Sequence, residues 1–248
     1  MNLDYEHVET TLIEWLKGQV KNANAEGVVL GLSGGIDSSV TAVLAKKAFP
    51  NNTLGVVMPC YSNKQDKVDA IKIAKQFDID YKVKDLGPFY DSFKEIVNAE
   101  EKDSKNNLAL ANVKPRLRMT TLYYYSAQNN YLVLGTDNWS ELKVGYFTKY
   151  GDGGIDLTIL GRLVKTEVRE LARHLGIPEK IIKKKPSAGL WKDQTDEEEM
   201  GLTYEQLDRY ILTGNAEPEI EEKIEKLSEK NSHKLDPIPV PDREILLI

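Results

Sequence analysis

Apolar positions recur at three- and four-residue steps at the start of the chain. Val8, Leu12, Trp15, Leu16 and Val20 share one face, which predicts an amphipathic helix. Val28 to Leu32 is a short apolar run that ends in a glycine-rich turn. Asp37 to Phe49 returns to the helical period, and Leu54 to Met58 is a second apolar run stopped by Pro59. Val68, Ile71, Ala74 and Phe77 predict another amphipathic helix. Ile79 to Val83 alternates as a strand does, and Leu132 to Leu134 is a fourth strand candidate. One long helix is predicted between them, from about Lys105 to Gln128. Beyond Gly145 the pattern weakens. Thr166 to Leu175 reads as a helix stopped by Gly176 and Pro178, and Glu217 to Lys230 as an exposed charged helix. Gly189 to Gly201 is acidic and has no clear period. Pro237, Pro239 and Pro241 predict an extended tail.

Short apolar strands alternating with helices indicate βαβ units. The fold expected is a three-layer α/β/α domain, with a doubly wound parallel sheet of about five strands covered on both faces. Ligands in such sheets sit beyond the carboxyl ends of the strands. The loops Ser33–Ser39, Pro59–Gln65 and Thr136–Glu141 therefore come first.

Composition narrows the picture. The 248 residues read as a single domain, 1–248. One cysteine, Cys60, excludes an internal disulfide framework and any Cys-x-x-Cys metal site, and reads as packing. The net charge of −6 supplies no general basic field for nucleic acid. Neither a signal peptide nor a membrane-spanning apolar run is visible, so a soluble cytoplasmic protein is expected.

The strongest local signal is Gly31-Leu32-Ser33-Gly34-Gly35-Ile36-Asp37-Ser38-Ser39, after a predicted strand and opening a predicted helix. Glycines let backbone N–H groups approach an anion, and the helix N-terminus and serine hydroxyls add donors. No Gly-Lys-Ser/Thr follows, so this is not a Walker A loop, nor is it Gly-x-Gly-x-x-Gly. Asp37 has two readings. A carboxylate beside phosphates needs a metal between them, and Mg2+ is commonly held by one or two carboxylates plus phosphates. Alternatively, Asp37 only complements the helix dipole.

Ser33-Gly34-Gly35-Ile36-Asp37-Ser38-Ser39 resembles the pyrophosphate-binding loop of the adenine-nucleotide alpha hydrolases, which cleave ATP between the alpha and beta phosphates. Later motifs narrow the resemblance to the NAD synthetase family. They are Gly135-Thr136-Asp137-Asn138-Trp139-Ser140-Glu141 and the run from Gly145 to Asp156. Asn112, Arg116, Arg118, Met119 and Tyr123, then Leu163 to Val168, Lys185 to Leu190, Asp193 to Glu197 and His233-Lys234, continue it. The match runs in one order from about Tyr5 to the end of the chain.

The resemblance implies ATP-dependent amidation of deamido-NAD by ammonia, giving NAD, AMP and pyrophosphate. It implies that Gly31, Leu32, Ser33, Gly34, Gly35, Ile36, Asp37 and Ser38 cradle ATP, together with Thr136, Lys165 and Ser187. Asp37 and Glu141 would hold Mg2+; Glu141 also reads as a simple first-turn acid, and Lys165 as a solvated helix-start lysine. Lys183 to Lys185 read either as a solvated patch or as a lid over phosphates. Asn112, Arg116, Tyr123, Tyr146, Lys149, Asp156, His233 and Lys234 would bind deamido-NAD. Asn112, Arg116 and Tyr123 fall on roughly one helix face, an odd set for a core. Asp152, in a glycine turn, is the candidate to take a proton from ammonium.

The family further implies a homodimer whose substrate site lies at the interface. No glutaminase domain is visible, so ammonia is free or comes from a separate protein. The loop Met58-Pro59-Cys60-Tyr61-Ser62 lacks an arginine that some relatives place near ATP. The rival readings are a tRNA thiolation or lysidine-type ligase, a regulatory nucleotide-binding module, and a subunit whose partner supplies catalysis. The acidic balance speaks against the first, and the complete motif set against the other two.

Overall fold

The computed structural model describes residues 3–99, 108–187 and 195–246. Its helices and strands follow in chain order. α1 (Tyr5–Asn22) leads into β1 (Gly27–Gly31), α2 (Ile36–Ala48), β2 (Thr53–Val57), α3 (Lys64–Gln76) and β3 (Asp80–Val83). α4 (Gly87–Ile96), α5 (Leu108–Ala111) and α6 (Val113–Asn129) precede β4 (Tyr131–Gly135), α7 (Trp139–Val144) and the two-residue β5 (Leu157–Thr158). α8 (Lys165–His174), α9 (Glu179–Ile182), α10 (Asp196–Met200), α11 (Tyr204–Thr213) and α12 (Pro218–Asn231) complete the set.

The five strands form one sheet in the order β3-β2-β1-β4-β5, and every neighbouring pair is parallel. The expected doubly wound α/β fold is borne out. Alternation along the strands sorts side chains onto two faces. Val28, Leu30 and Leu32 join the core beneath α1, α2 and α8, with Val57 and Leu134 beside them. Val29, Val56 and Val133 face the other way, toward Leu122, Tyr123 and Tyr125 of α6. A third apolar cluster, Val144, Met200, Leu202, Tyr204, Leu207 and Ile224, joins α7, α10, α11 and α12. The chain reverses its direction of travel across the sheet between β1 and β4, so a crevice opens beyond their carboxyl ends.

The predicted helix from Lys105 to Gln128 is corrected: within the described residues it breaks into α5 and α6, with Asn112 between them. Pro115 is the reason. It lacks an N–H and its ring clashes with a preceding turn, so it fits only in the first turn of a helix. The stretch from Thr136 to Glu141, expected as a loop, becomes helical at Trp139. The acidic stretch before Gly201 contains α10.

Candidate active site

The glycine-serine loop lies at the end of β1, at the reversal point. Gly34 takes φ +78, and a Cβ there would sit 2.4 Å from the Asp66 carbonyl oxygen, so the position needs glycine twice over. Ser33 and Ser38 hold the loop closed, with their hydroxyls 2.9 Å apart. The Ser38 hydroxyl donates to the Gly35 carbonyl at 3.1 Å, and Ser39 does the same at 2.7 Å. Gly35 caps α2 without a side-chain bond, so the first amides of the helix are not consumed by a capping side chain. Lys184, after α9, donates to the Gly34 carbonyl at 3.2 Å and pairs with Asp66 at 2.6 Å. Of the two readings of the lysine run, Lys184 is thus no freely solvated lysine; it braces the loop from outside.

Asp37, in the first turn of α2, accepts from Asn138 Nδ2 at 2.9 Å and pairs with Lys165 at 2.6 Å. Lys165 also reaches Glu141 at 3.2 Å. Asn138 and Glu141 cap α7 reciprocally: Asn138 Oδ1 accepts from the Glu141 N–H, and Glu141 Oε2 from the Asn138 N–H. Glu141 is therefore a first-turn acid and a site carboxylate at once. Lys165, read alone as a solvated lysine, is fully buried. Burial opposes its charge, but the combined pull of Asp37 and Glu141 outweighs that and holds its pKa above the ordinary value. Burial pushes the Glu141 carboxyl up to about 7, against the pull of Lys165.

Two residues at the site had been given no role from the sequence. Asp137 is buried with Oδ2 lacking a hydrogen-bond partner. Burial, then the charges of Asp152, Glu141 and Asp37, drive its carboxyl well above the usual range. Tyr204, fully buried, places its hydroxyl 3.2 Å from Glu141 Oε1 and 3.1 Å from Asp196 Oδ2. The sequence signal for its helix was the box Thr203-x-x-Gln206, whose two reciprocal bonds cap α11.

The shared face predicted for Asn112, Arg116 and Tyr123 meets the segment from Thr148 to Asp156. Thr148 Oγ1 donates to Asn112 Oδ1 at 2.9 Å, Arg116 donates to the Lys149 carbonyl at 3.4 Å, and the Tyr123 hydroxyl donates to Asp156 Oδ1 at 2.9 Å. Asp156 Oδ2 accepts in turn from the Val133 N–H at 2.8 Å. Asp152 accepts from the Thr148 N–H at 2.9 Å. The protein around it raises its carboxyl above the ordinary value, with the Thr148 bond and Arg118 pulling the other way. Tyr146 bonds Glu199, and Lys149 donates to the His233 carbonyl. Lys234 spends its ammonium on the Gly145 and Phe147 carbonyls at 2.6 and 2.9 Å. The His233–Lys234 turn is thereby strapped to the Gly145–Lys149 segment. Thr136, at the end of β4, is half-buried. Ser187 is exposed, and the bond from Asp196 N–H to the Pro186 carbonyl brings it to the start of α10. The motif residues Ala188, Gly189, Leu190, Asp193 and Gln194 lie outside the described residues.

The loop after β2, which lacks an arginine of its own, receives one from α6. Arg118 donates to the Met58 carbonyl at 3.3 Å and to Ser62 Oγ at 3.1 Å. Cys60 is buried there, as a packing residue would be.

A parallel sheet with a glycine-serine loop at its reversal point, backed by Asp37, Glu141 and Lys165, defines the class: nucleotide-type α/β proteins of adenine-nucleotide alpha hydrolase architecture. Comparison with known proteins sharpens the class. The family model for NAD synthase matches residues 8–238, and the chain belongs to that family. The NH(3)-dependent NAD(+) synthetase of Carboxydothermus hydrogenoformans is 50% identical over 94% of this chain and 96% of its own. The solved structure of NMN synthetase from Francisella tularensis superposes with TM-score 0.91 at 36% identity, covering 97% of this chain and 100% of that one. That of NH3-dependent NAD synthetase from Campylobacter jejuni superposes with TM-score 0.79 at 33% identity, over 97% and 100%.

Proposed function

We propose that this protein is an ammonia-dependent ligase that amidates deamido-NAD to NAD at the expense of ATP, the last step of NAD biosynthesis. The observation that carries the reading is the convergence of the glycine-serine loop, Asp37, Glu141 and Lys165 at one crevice, in a chain of the NAD synthase family.

A carboxylate resists attack by ammonia because oxide is an impossible leaving group. Transfer of AMP from ATP onto the carboxylate makes a mixed anhydride and releases pyrophosphate. Ammonia then displaces AMP. The amides of Gly34 and Ile36, with the Ser33 and Ser38 hydroxyls, suit the departing pyrophosphate. Lys165 stands beside the loop to meet the charge that develops there. Thr136 and Ser187 would add further ATP contacts.

The donor set also fits a divalent cation. Two carboxylates already converge on one ammonium, and the buried Asp137 oxygen beside them has no partner. Asp37 and Glu141 would hold Mg2+ together with phosphate oxygens, and the ion would neutralise phosphate charge.

Asn112, Arg116, Tyr123, Tyr146, Lys149, Asp156, His233 and Lys234 form the deamido-NAD end. Asp152, whose raised carboxyl suits a base, takes a proton from ammonium. The site operates in a homodimer in the cytoplasm, and ammonia arrives free or from a separate protein. No helix among the described residues is long and apolar enough to cross a membrane. Phe89, Ile96, Val97, Leu108 and Tyr124, on or beside α4 to α6, are each exposed, which supports pairing there.

The close superposition on an NMN synthetase favours one second reading, amidation of the corresponding mononucleotide to NMN. An end-point assay with MgATP decides between them. Deamido-NAD and its mononucleotide are offered separately, each with ammonium or glutamine. NAD, AMP and pyrophosphate from deamido-NAD and ammonium are expected. Preferential turnover of the mononucleotide would establish the second reading, and no AMP in any arm would refute both. In the same assay Asp152→Asn is expected to lose at least about tenfold in rate at neutral pH. Full rate at saturating ammonium would remove its proton-accepting role.

A further inference from the structure

Lys165 must present one ammonium to a cleft from a flexible four-carbon stem, and what aims it comes from a helix that the hydrophobic pattern does not reveal. Tyr204 opens α11, and Asp208 lies four residues on, so both project from one helix face. Both are buried, at 0% and 2% exposure. The Tyr204 ring lies beneath the Lys165 ammonium, 4.8 Å from it to the ring centre. Its hydroxyl spans Glu141 and Asp196 at 3.2 and 3.1 Å. Asp208 holds the main chain instead. It accepts from the Thr166 N–H at 2.7 Å and from the Ser140 hydroxyl at 2.5 Å. The Ser140 oxygen accepts from the Lys165 N–H at 3.0 Å. One helix face therefore grips Lys165 at both ends, by the ammonium and by the backbone, and grips Glu141 as well.

Packing alone requires none of this. Phenylalanine at position 204 would fill almost the same volume without a buried hydroxyl to satisfy, and a buried carboxylate at position 208 costs free energy unless it is fully bonded. Polar groups that are expensive to bury are here directed at residues of the phosphate end.

We infer that α11 is the positioning element of that end, with Tyr204 and Asp208 as positioning residues that hold Lys165 and Glu141 toward the cradle without touching substrate. The inference rests on the reading of Lys165 as the phosphate-facing cation.

The test compares full-length Tyr204→Phe, Asp208→Asn and Lys165→Met in steady-state AMP formation with MgATP, deamido-NAD and ammonium, alongside thermal unfolding. For Tyr204→Phe and Asp208→Asn the expected result is kcat lower by about tenfold or more, with KM for deamido-NAD within about twofold. Tm is expected to stay within about 4 °C for Tyr204→Phe. Lys165→Met should lose at least as much kcat. Tyr204→Phe at wild-type kcat, beside an impaired Lys165→Met, would overturn the positioning role alone. Lys165→Met at wild-type kcat would remove the reading of Lys165 and the inference with it. If Tyr204→Phe does not fold, Asp208→Asn decides on the same criteria. A parallel collapse of Tm, kcat and KM in both variants would make α11 a packing element and overturn the inference.

Discussion

At the scale of single residues, the crevice gathers more carboxyl groups than Lys165 alone can pair. Asp37, Glu141, Asp196 and Asp137 gather around Lys165. A site awaiting a polyphosphate and a cation is expected to carry such a surplus, at a cost in stability while empty. The Asp137 and Glu141 carboxyls have folded pKa values above their unfolded ones, because burial disfavours their charge. Such groups contribute stability below the unfolded value and lose it as pH rises through the folded value. For Glu141 that loss begins near the unfolded value and is complete at about 7. The ligand-free protein is therefore expected to lose thermal stability as pH rises from about 4.5 to about 7, where Glu141 ionises in the unfolded chain but not yet in the folded one. Asp137→Asn should flatten that slope. A slope equal to that of the wild type would contradict the assignment. Gly34 makes a second residue-scale case. Alanine there costs about 1–2 kcal/mol for the left-handed backbone, before its Cβ meets the Asp66 carbonyl. Gly34→Ala is expected to lower Tm by several degrees and to raise KM for ATP at least about tenfold. Unchanged ATP kinetics would mean that the loop does not cradle phosphate.

At the scale of elements, what was legible depended on length and on period. β1, β2 and β4 are apolar because both faces of a central parallel strand are buried, and their runs stand out. α1, α3 and α8 carry clear amphipathic stripes, since each turns one face to the main core. β5 has only two residues, too few for any alternation, and exists because β4 offers it an edge. α7, α10 and α11 are short and pack on one another and on α12 around a small third core, so their apolar positions follow neighbours rather than a period. Their capping signatures were present nonetheless: Asn138-x-x-Glu141, Thr195-x-x-Glu198 and Thr203-x-x-Gln206. The same logic explains Pro115, which splits one predicted helix into two.

At the scale of the whole molecule, the sheet brings distant segments to one place. Asn138 Nδ2 reaches Asp37 across 101 residues of chain, and Lys165 Nζ reaches it across 128. The exposed apolar side chains of α4 to α6 lie on the side of the sheet opposite α1, α2 and α8. If two copies pair there, sedimentation should show a dimer at micromolar concentration. Phe89→Glu with Tyr124→Glu should then yield a folded monomer with impaired turnover. A monomeric wild type at full activity would exclude an interface-borne site.

The sequence by itself determined the layered α/β class, the place of the glycine-serine loop at a strand end, and the family of the chain. These follow from local chemistry: strand runs, helix stripes, and glycines beside hydroxyls. It also identified Asp37, Glu141 and Lys165 as candidates, beside the readings of a helix-dipole acid, a first-turn acid and a solvated lysine. Only the tertiary structure shows how they are buried and paired, because burial and pairing are properties of the assembled crevice. It showed Lys165 sealed from solvent between two carboxylates, and Glu141 as cap and site carboxylate at once. It also placed Arg118 on a loop 56 residues away and Tyr204 beneath the lysine. Contacts between residues so far apart in the chain leave no periodic trace, and they exist only once the sheet has formed.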